Sequence, residues 1–379
     1  MKNILFISTR HKLERPLLEL LRELENRSFC LHVFSSNKDI LDFFSNPSSS
    51  GTTKKIRPGF NFDSKVKKIG TVFLLPLICL KQFISLVYIK ALKGLDIVIC
   101  VNNRERLVFT PVASLLKIKV IWIERPDVRH DRKRKLLSRS LRSMFRSVDR
   151  VLVFNQESFN RLKEKGFAEE KIKNIHLGAS LNREHQDDLF SNLAKKRSSR
   201  SFFDCFSVGI VADFNNTYQI ENLFQSIRIC LEVFDNLRVI IIGEGKEKKR
   251  LSWLARQNNI ENLVYLVGEQ SELEKWWESF DVYLSWAKSP GLKDFQIGLE
   301  AMLAELPVIA HKDKGWEDLV KEGQTGFLVS EGDSEDLAQK LIHLQQKPHL
   351  KKKMGREASE LVKNNFTFSK QVERLLKEL

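Results

Sequence analysis

The sequence lacks a cysteine pair. Its five cysteines, Cys30, Cys79, Cys100, Cys205 and Cys230, form no CxxC and no metal-ligand spacing, and their number is odd. That excludes a disulfide framework or a structural zinc site as the organising element. Cysteines set in apolar runs such as DIVICV read as small hydrophobes in a reducing compartment. A long unbroken apolar stretch is also missing. The start, MKNILFISTR, offers only Ile4–Ile7, short of a secretory core of about 7–15 residues, and reads as a first strand. Thr71–Lys90 approaches the roughly 20 residues of a membrane span, but Pro76 interrupts it and Lys81 and Gln82 lie within it. A helix that is largely buried, or lies at a membrane interface, fits this run better than a span.

Acidic residues are scarce in one half. Residues 1–200 carry 40 Lys+Arg against 20 Asp+Glu, and the remainder 23 against 28, so the net +15 conceals +20 and −5. A basic half faces an anionic partner: nucleic acid, a membrane or a phosphorylated substrate. Against nucleic acid, no helix-turn-helix, zinc or aromatic RNP-type motif is present.

Short apolar runs alternate with helical periodicity through both halves. Asn3–Ser8, Cys30–Ser35, Ile97–Val101, Val120–Ile123 and Val151–Asn155 read as strands, with helices over Pro16–Asn26 and Glu157–Lys165. After a polar stretch over 181–202 the pattern restarts with strands Phe206–Ala212, Leu237–Ile242, Leu263–Val267, Val282–Ser285 and Val308–Ala310. Continuous apolar strands separated by helices imply parallel sheets covered on both faces. The expected division is a Rossmann-like domain over 1–182, a linker over 183–202, a second Rossmann-like domain over 203–365 and a C-terminal helix over 366–379, packing back toward the first domain.

Three segments carry a resemblance. VLVFNQESFNRLKEKGFAEEKIKNIHLGAS is similar to the passage from first to second domain in the retaining glycosyltransferases of family 4. LRVIIIGEGKEKKRLSWLARQNNIENLVYLVGE resembles that family's strand, GxG turn, helix, strand and glycine. LEAMLAELPVIAHKDKGWEDLVKEGQTGFLV resembles its most recognisable block, and order and spacing together make the signal. The resemblance implies an α/β GT-B fold, two Rossmann-like domains facing across a cleft. It implies transfer of a sugar from a nucleotide-diphosphate sugar to a saccharide or lipid-linked acceptor, with retention and without a metal or other cofactor. Helix N-termini and loop amides hold the diphosphate in such sites.

Carried over position by position, Glu300 matches the second glutamate of the family's E-x7-E motif, where it would contact the donor ribose; it reads as the carboxylate opening a helix over Leu299–Ala304. The first glutamate falls on Leu292, with Asp294 as a substitute or else a solvated loop aspartate. Gly209, Gly243, Lys288, Lys293, Phe295, Gln296, Ile297 and Gly298 complete the expected donor side. The family's basic pair after the first strand of domain two is absent, since no Lys or Arg lies between Gly209 and Arg228. Glu124 stands where the family often has a histidine; with Asp127 it would orient an acceptor, or else pair with Arg125. Asn102, Arg104 and Arg125 are further acceptor-side candidates.

Residues 129–150 hold nine Lys+Arg against two Asp, with Arg139, Arg142 and Arg146 on one helical stripe and Leu137, Leu141 and Phe145 on the other. The expectation is a cytoplasmic enzyme of bacterial surface polysaccharide or glycolipid synthesis, with an anionic membrane surface on its inner face as a candidate partner. A GT-B-like nucleotide-sugar epimerase, or a degenerate relative acting as a binding partner, are the alternatives.

Overall fold

A computed structural model describes residues 2–8, 13–27, 29–45, 53–55, 80, 83–126, 144–179, 205–215, 220–287, 289–312 and 314–379. The chain forms two compact units. The first comprises Met1–Ile175 and Val372–Leu379, the second His176–Gln371. The chain therefore leaves the first unit ahead of the expected boundary at 182. The expected linker over 183–202 lies outside the described residues.

The first unit is a seven-stranded parallel sheet, ordered β3-β2-β1-β4-β5-β6-β7. Its strands are β1 (Asn3–Ser8), β2 (Cys30–Ser35), β3 (Thr53–Lys55), β4 (Leu95–Cys100), β5 (Lys119–Ile123), β6 (Arg150–Val153) and β7 (Ile172–Asn174). The runs NILFIS and KVIWI are buried on both faces, as parallel strands under helices must be. Helix α1 (Arg15–Asn26) opens with Pro16 in its first turn, where a missing N–H costs nothing. Its Leu17, Leu20, Leu21 and Leu24 face the core. Helices α2 (Lys38–Phe44), α3 (residues 83–93), α4 (Asn103–Leu115) and α5 (Gln156–Glu164) follow.

The second unit is a six-stranded parallel sheet, ordered β10-β9-β8-β11-β12-β13. Its strands are β8 (Phe206–Val211), β9 (Leu237–Ile242), β10 (Val264–Gly268), β11 (Val282–Leu284), β12 (Val308–His311) and β13 (Gly326–Val329). Helices α6 (Ile220–Leu231), α7 (Lys248–Gln257), α8 (Leu292–Leu303), α9 (Ser334–Gln346) and α10 (Pro348–Asn365) complete it, and the last helix, α11 (Phe368–Glu378), begins in it and lies mostly in the first unit. Numbered within each unit, both sheets run 3-2-1-4-5-6, the Rossmann order, whose direction of progression reverses between the first and fourth strands. Both units are thus the expected Rossmann-like α/β type.

Helix α11 carries the chain back to the first unit. There Arg150 Nε meets Glu378 Oε2 at 3.0 Å, and Lys119 Nζ donates to the Glu378 and Leu379 carbonyls at 2.8 and 3.2 Å.

Gly209 lies inside β8, paired with Ile240 and Tyr283, not at the strand's end. A Cβ there would sit 2.2 Å from the ring of Phe280. The glycine is required by packing. Gly209→Ala is expected to lower stability by about 1–3 kcal/mol through overpacking. Urea unfolding of the single variant and of Gly209→Ala/Phe280→Leu checks this, and the second change should recover part of the loss.

Candidate functional site

Ligands of doubly wound sheets bind beyond the carboxyl ends of the strands, at the point where strand order reverses. In the second unit that point lies between β8 and β11. Three structures meet there: the turn after β8, the turn after β9 and the helix that follows β11.

The turn after β9 is Gly243-Glu244-Gly245. Both glycines have positive φ, +153° and +156°. A Cβ would lie 1.9 Å from the Ala212 carbonyl oxygen at Gly243, and 2.4 Å from the Asn215 amide at Gly245. The Gly243 amide donates to the Gly268 carbonyl at 2.9 Å, and the Phe214 amide to that of Glu244 at 3.1 Å. The glycines therefore seat one turn on the other, and the Gly243 amide is spent in doing so.

Helix α8 begins at Leu292, not at Leu299. Gly291 is its cap residue, and its amide donates to Asp294 Oδ2 at 2.7 Å. Asp294, the expected substitute for the family's first glutamate, thus closes the helix's own first turn. Leu292, Phe295, Ile297, Gly298 and Leu299 are buried. Phe295 packs on Trp316 with ring centroids 4.7 Å apart. A Cβ on Gly298 would come within 2.5 Å of the same indole. Of the expected donor-side run, Phe295, Ile297 and Gly298 therefore belong to the core.

The remaining face of α8 carries Lys293, Gln296 and Glu300, at spacings of 3 and 4. Lys293 is exposed; Gln296 and Glu300 are half-buried and joined by a Gln296 Nε2 to Glu300 Oε1 bond of 3.1 Å. Glu300 thus sits two turns inside the helix rather than opening it. Below lies Tyr283 of β11, 1% exposed. Burial pushes its phenol well above the usual range, and the charges of Asp294 and Glu300 push it further. The phenol stays protonated beside two carboxylates. Lys288 lies outside the described residues.

At the end of β12, His311 is 3% exposed, with its ring 4.6 Å from that of Trp286. Burial first, then the nearby Lys314 charge, lowers its imidazole to about 4. Lys314 itself pairs with Glu331 at 2.7 Å.

In the first unit the polar groups gather at the ends of β4 and β5. Asn102 caps α4, and Glu105 Oε2 accepts the Val101 and Asn102 amides at 3.0 and 2.8 Å. Glu124 is 1% exposed and pairs with Arg106 at 2.7 Å. Arg106 also donates to the Ile123 carbonyl at 2.7 Å and lies over the Trp122 ring. Arg125, 5% exposed, is 3.7 Å from Glu14. Arg104 and Asn102 are half-buried at the reversal point beside β4. Asp127, Arg139 and Arg142 lie outside the described residues; Arg146 is exposed. Sequence reasoning missed Glu105 and Arg106, although Asn102 followed by Glu105 at the end of a strand is a capping-box signal.

Residues 160–361 match the model of the glycosyl transferases group 1. The chain belongs to that family. It is 27% identical over 213 residues to the putative glycosyltransferase EpsD of Bacillus subtilis (strain 168), covering 55% of each chain. It is 23% identical over 231 residues to the capsular polysaccharide biosynthesis glycosyltransferase CapM of Staphylococcus aureus, covering 59% of each. The chain spans about half the length of the curated relatives it matches. Its fold is similar to Anabaena HepE in complex with UDP, with a TM-score of 0.77 at 16% identity, covering 100% of this chain and 99% of that one. The fold is the GT-B type that the sequence led one to expect. The match takes in α8 and Trp316, so Glu300 stands within the part of the chain that defines the family.

Removing one partner of a buried pair leaves an uncompensated charge. Glu124→Ala is expected to cost about 3–5 kcal/mol of stability, read from the denaturant midpoint; unchanged stability with lost turnover would instead assign Glu124 to chemistry. His311 makes a second prediction. Because its folded value is about 4 against 6.5 unfolded, the unfolded chain takes the proton first as pH falls. Stability should therefore decline between pH 6.5 and about 4 and level off below. The decline is bounded by about 3.5 kcal/mol, at roughly 1.4 kcal/mol per pH unit. Denaturation across that range should show the slope flattened in His311→Phe.

Proposed function

We propose that the protein transfers a hexosyl group from a nucleotide-diphosphate sugar to a saccharide or lipid-linked acceptor, with retention, as family 4 enzymes do. The observation that carries this reading is Glu300, half-buried on α8 beyond the reversal point and within the residues that match the family. Its carboxylate would accept two vicinal ribose hydroxyls in charge-assisted hydrogen bonds. The Gln296 amide holds one carboxylate oxygen in place. In the step itself the acceptor oxygen attacks the anomeric carbon, the bond from that carbon to the diphosphate oxygen breaks, and the departing phosphate takes the acceptor's proton on the same face. No metal or cofactor is needed for this balance. Lys293, exposed in the first turn of α8, is the described cation best placed to meet the diphosphate. The acceptor belongs to the first unit, near Asn102 and Arg104.

The name of CapM, a capsular polysaccharide biosynthesis glycosyltransferase, supports a role in surface polysaccharide synthesis; the acceptor would be met at the cytoplasmic face of the membrane. The UDP held by HepE makes uridine the first base to try.

One observation favours a second reading, a degenerate protein that binds a partner. The N-terminus of α8 is closed by its own Asp294, and Leu292, where the family has an acid, is fully buried.

The deciding experiment is thermal stability against a panel of nucleotide diphosphates and their sugars, without and with divalent metal. The expected result is stabilisation by one nucleotide, about 2.7 kcal/mol at a ligand concentration of 100 times Kd. It should be lost in Glu300→Ala, whose unliganded Tm stays at the wild-type value. Wild-type affinity in that variant would sink the assignment of Glu300, and no shift with any nucleotide would establish the second reading.

A further inference from the structure

We propose that the outer face of α3 is a docking surface for an anionic lipid bilayer. The inference rests on the membrane-side acceptor reading above and names the surface that would serve it.

The inner side of α3 is ordinary. Leu86 is fully buried, and Phe83 and Ile89 pack against the core beneath α4. The outer side is not. Ile84, Val87, Tyr88 and Leu92 are 62%, 38%, 67% and 63% exposed, and Leu80 just before them is 56% exposed. Their spacings of 4, 3, 1 and 4 put them on one side of a 3.6-residue helix. The water-facing side of a surface helix is normally polar, and a contiguous exposed apolar patch marks an interaction site. Leu115, 76% exposed at the end of α4, extends it. The Lys90 ammonium bonds the neighbouring Leu116 carbonyl and so holds the two helices together there.

Charge identifies the occupant. No Asp or Glu occurs from Ser64 to Leu95 or from Arg106 to Ile123. Lys93 and Lys117 are exposed beside the patch. Arg146 is exposed on the turn Met144–Ser147, whose Met144 and Phe145 pack on the same core as α3 and α4, so it lies on the same side of the sheet. An apolar face on a helix whose residues 83–93 carry Lys90 and Lys93 and no Asp or Glu fits the boundary between acyl chains and anionic headgroups. A second copy of the chain fits poorly, because a two-fold contact sets the same patch against itself and would bring lysine against lysine. Among the described residues no helix is long and apolar enough to cross a membrane, so α3 would lie on the surface.

The test uses the full chain and vesicles of phosphatidylcholine, alone or with phosphatidylglycerol, in co-sedimentation. The variant is Ile84→Ser/Tyr88→Ser/Leu92→Ser, three exposed positions whose loss leaves the core intact. The wild type is expected to bind the phosphatidylglycerol vesicles and bind phosphatidylcholine alone more weakly. The triple variant should lose about tenfold in affinity with its Tm unchanged. Absence of vesicle binding by the wild type, or equal binding by the variant, overturns the proposal. So does a lipid-free wild-type dimer that the variant dissolves, which would make this face an interface between copies. Nucleotide stabilisation, measured on the same samples, keeps the donor site separate: vesicle binding without any nucleotide shift supports this surface while removing the transferase reading.

Discussion

Burial of parallel strands on both faces is the constraint from which the rest of the molecule follows. Strands such as LRVIII and NILFIS have no solvent-facing side; their side chains are taken up by helices above and below. A polar group without a partner is costly on such a strand, and chemistry is driven to the strand ends. The contacts that keep the helices close reinforce this. Gly209 yields its side-chain volume to Phe280 and Gly298 to Trp316. Two residues that resemble ligand-binding glycines in the sequence are what lets aromatic rings close the two sides of the second unit.

Each unit solves the polar problem at its strand ends differently. In the first, Arg106 and Glu124 neutralise one another almost out of reach of water, and Glu105 takes up the free amides at the start of α4. Such a pair contributes little net stability but makes its own geometry costly to disturb. In the second, Asp294 and Glu300 stand over a phenol that burial and their own charges keep protonated. Glu300 is half-buried, whereas Glu124 is 1% exposed.

Much of the fold was legible in the sequence, since apolar runs of strand length separated by helical periodicity leave few alternatives. Asn3–Ser8, Cys30–Ser35 and Leu237–Ile242 appear with the bounds they were expected to have. The site was less legible. Pro290-Gly291 suggested a loop running on to Leu299, yet Gly291 is a helix cap and Leu292, Phe295 and Leu299 are already one apolar stripe. Glu124 was set against its neighbour Arg125 because sequence adjacency is all a linear reading offers. Its actual partner arrives from α4, 18 positions earlier. Pairings of that kind are decided by how a helix docks on a sheet, which local periodicity does not encode.

The start of α8 concentrates the tension between fold and function. A helix N-terminus draws an anion through its unpaired amides and its positive potential. Asp294 already supplies that anion, accepting the Gly291 amide at 2.7 Å. A diphosphate brought to the same end would meet a carboxylate rather than a vacancy, and Lys and Arg are missing along the run from Gly209 to Arg228 that would have offset it. Exposed Lys293 is adjacent to Asp294 and of opposite sign. In sequence, residues 288–294 carry Lys288 and Lys293 against Asp294, a balance of only +1 for a group that carries two or more negative charges. On the proposed reading, a donor held here would draw much of its binding from the nucleoside side, where Glu300 lies.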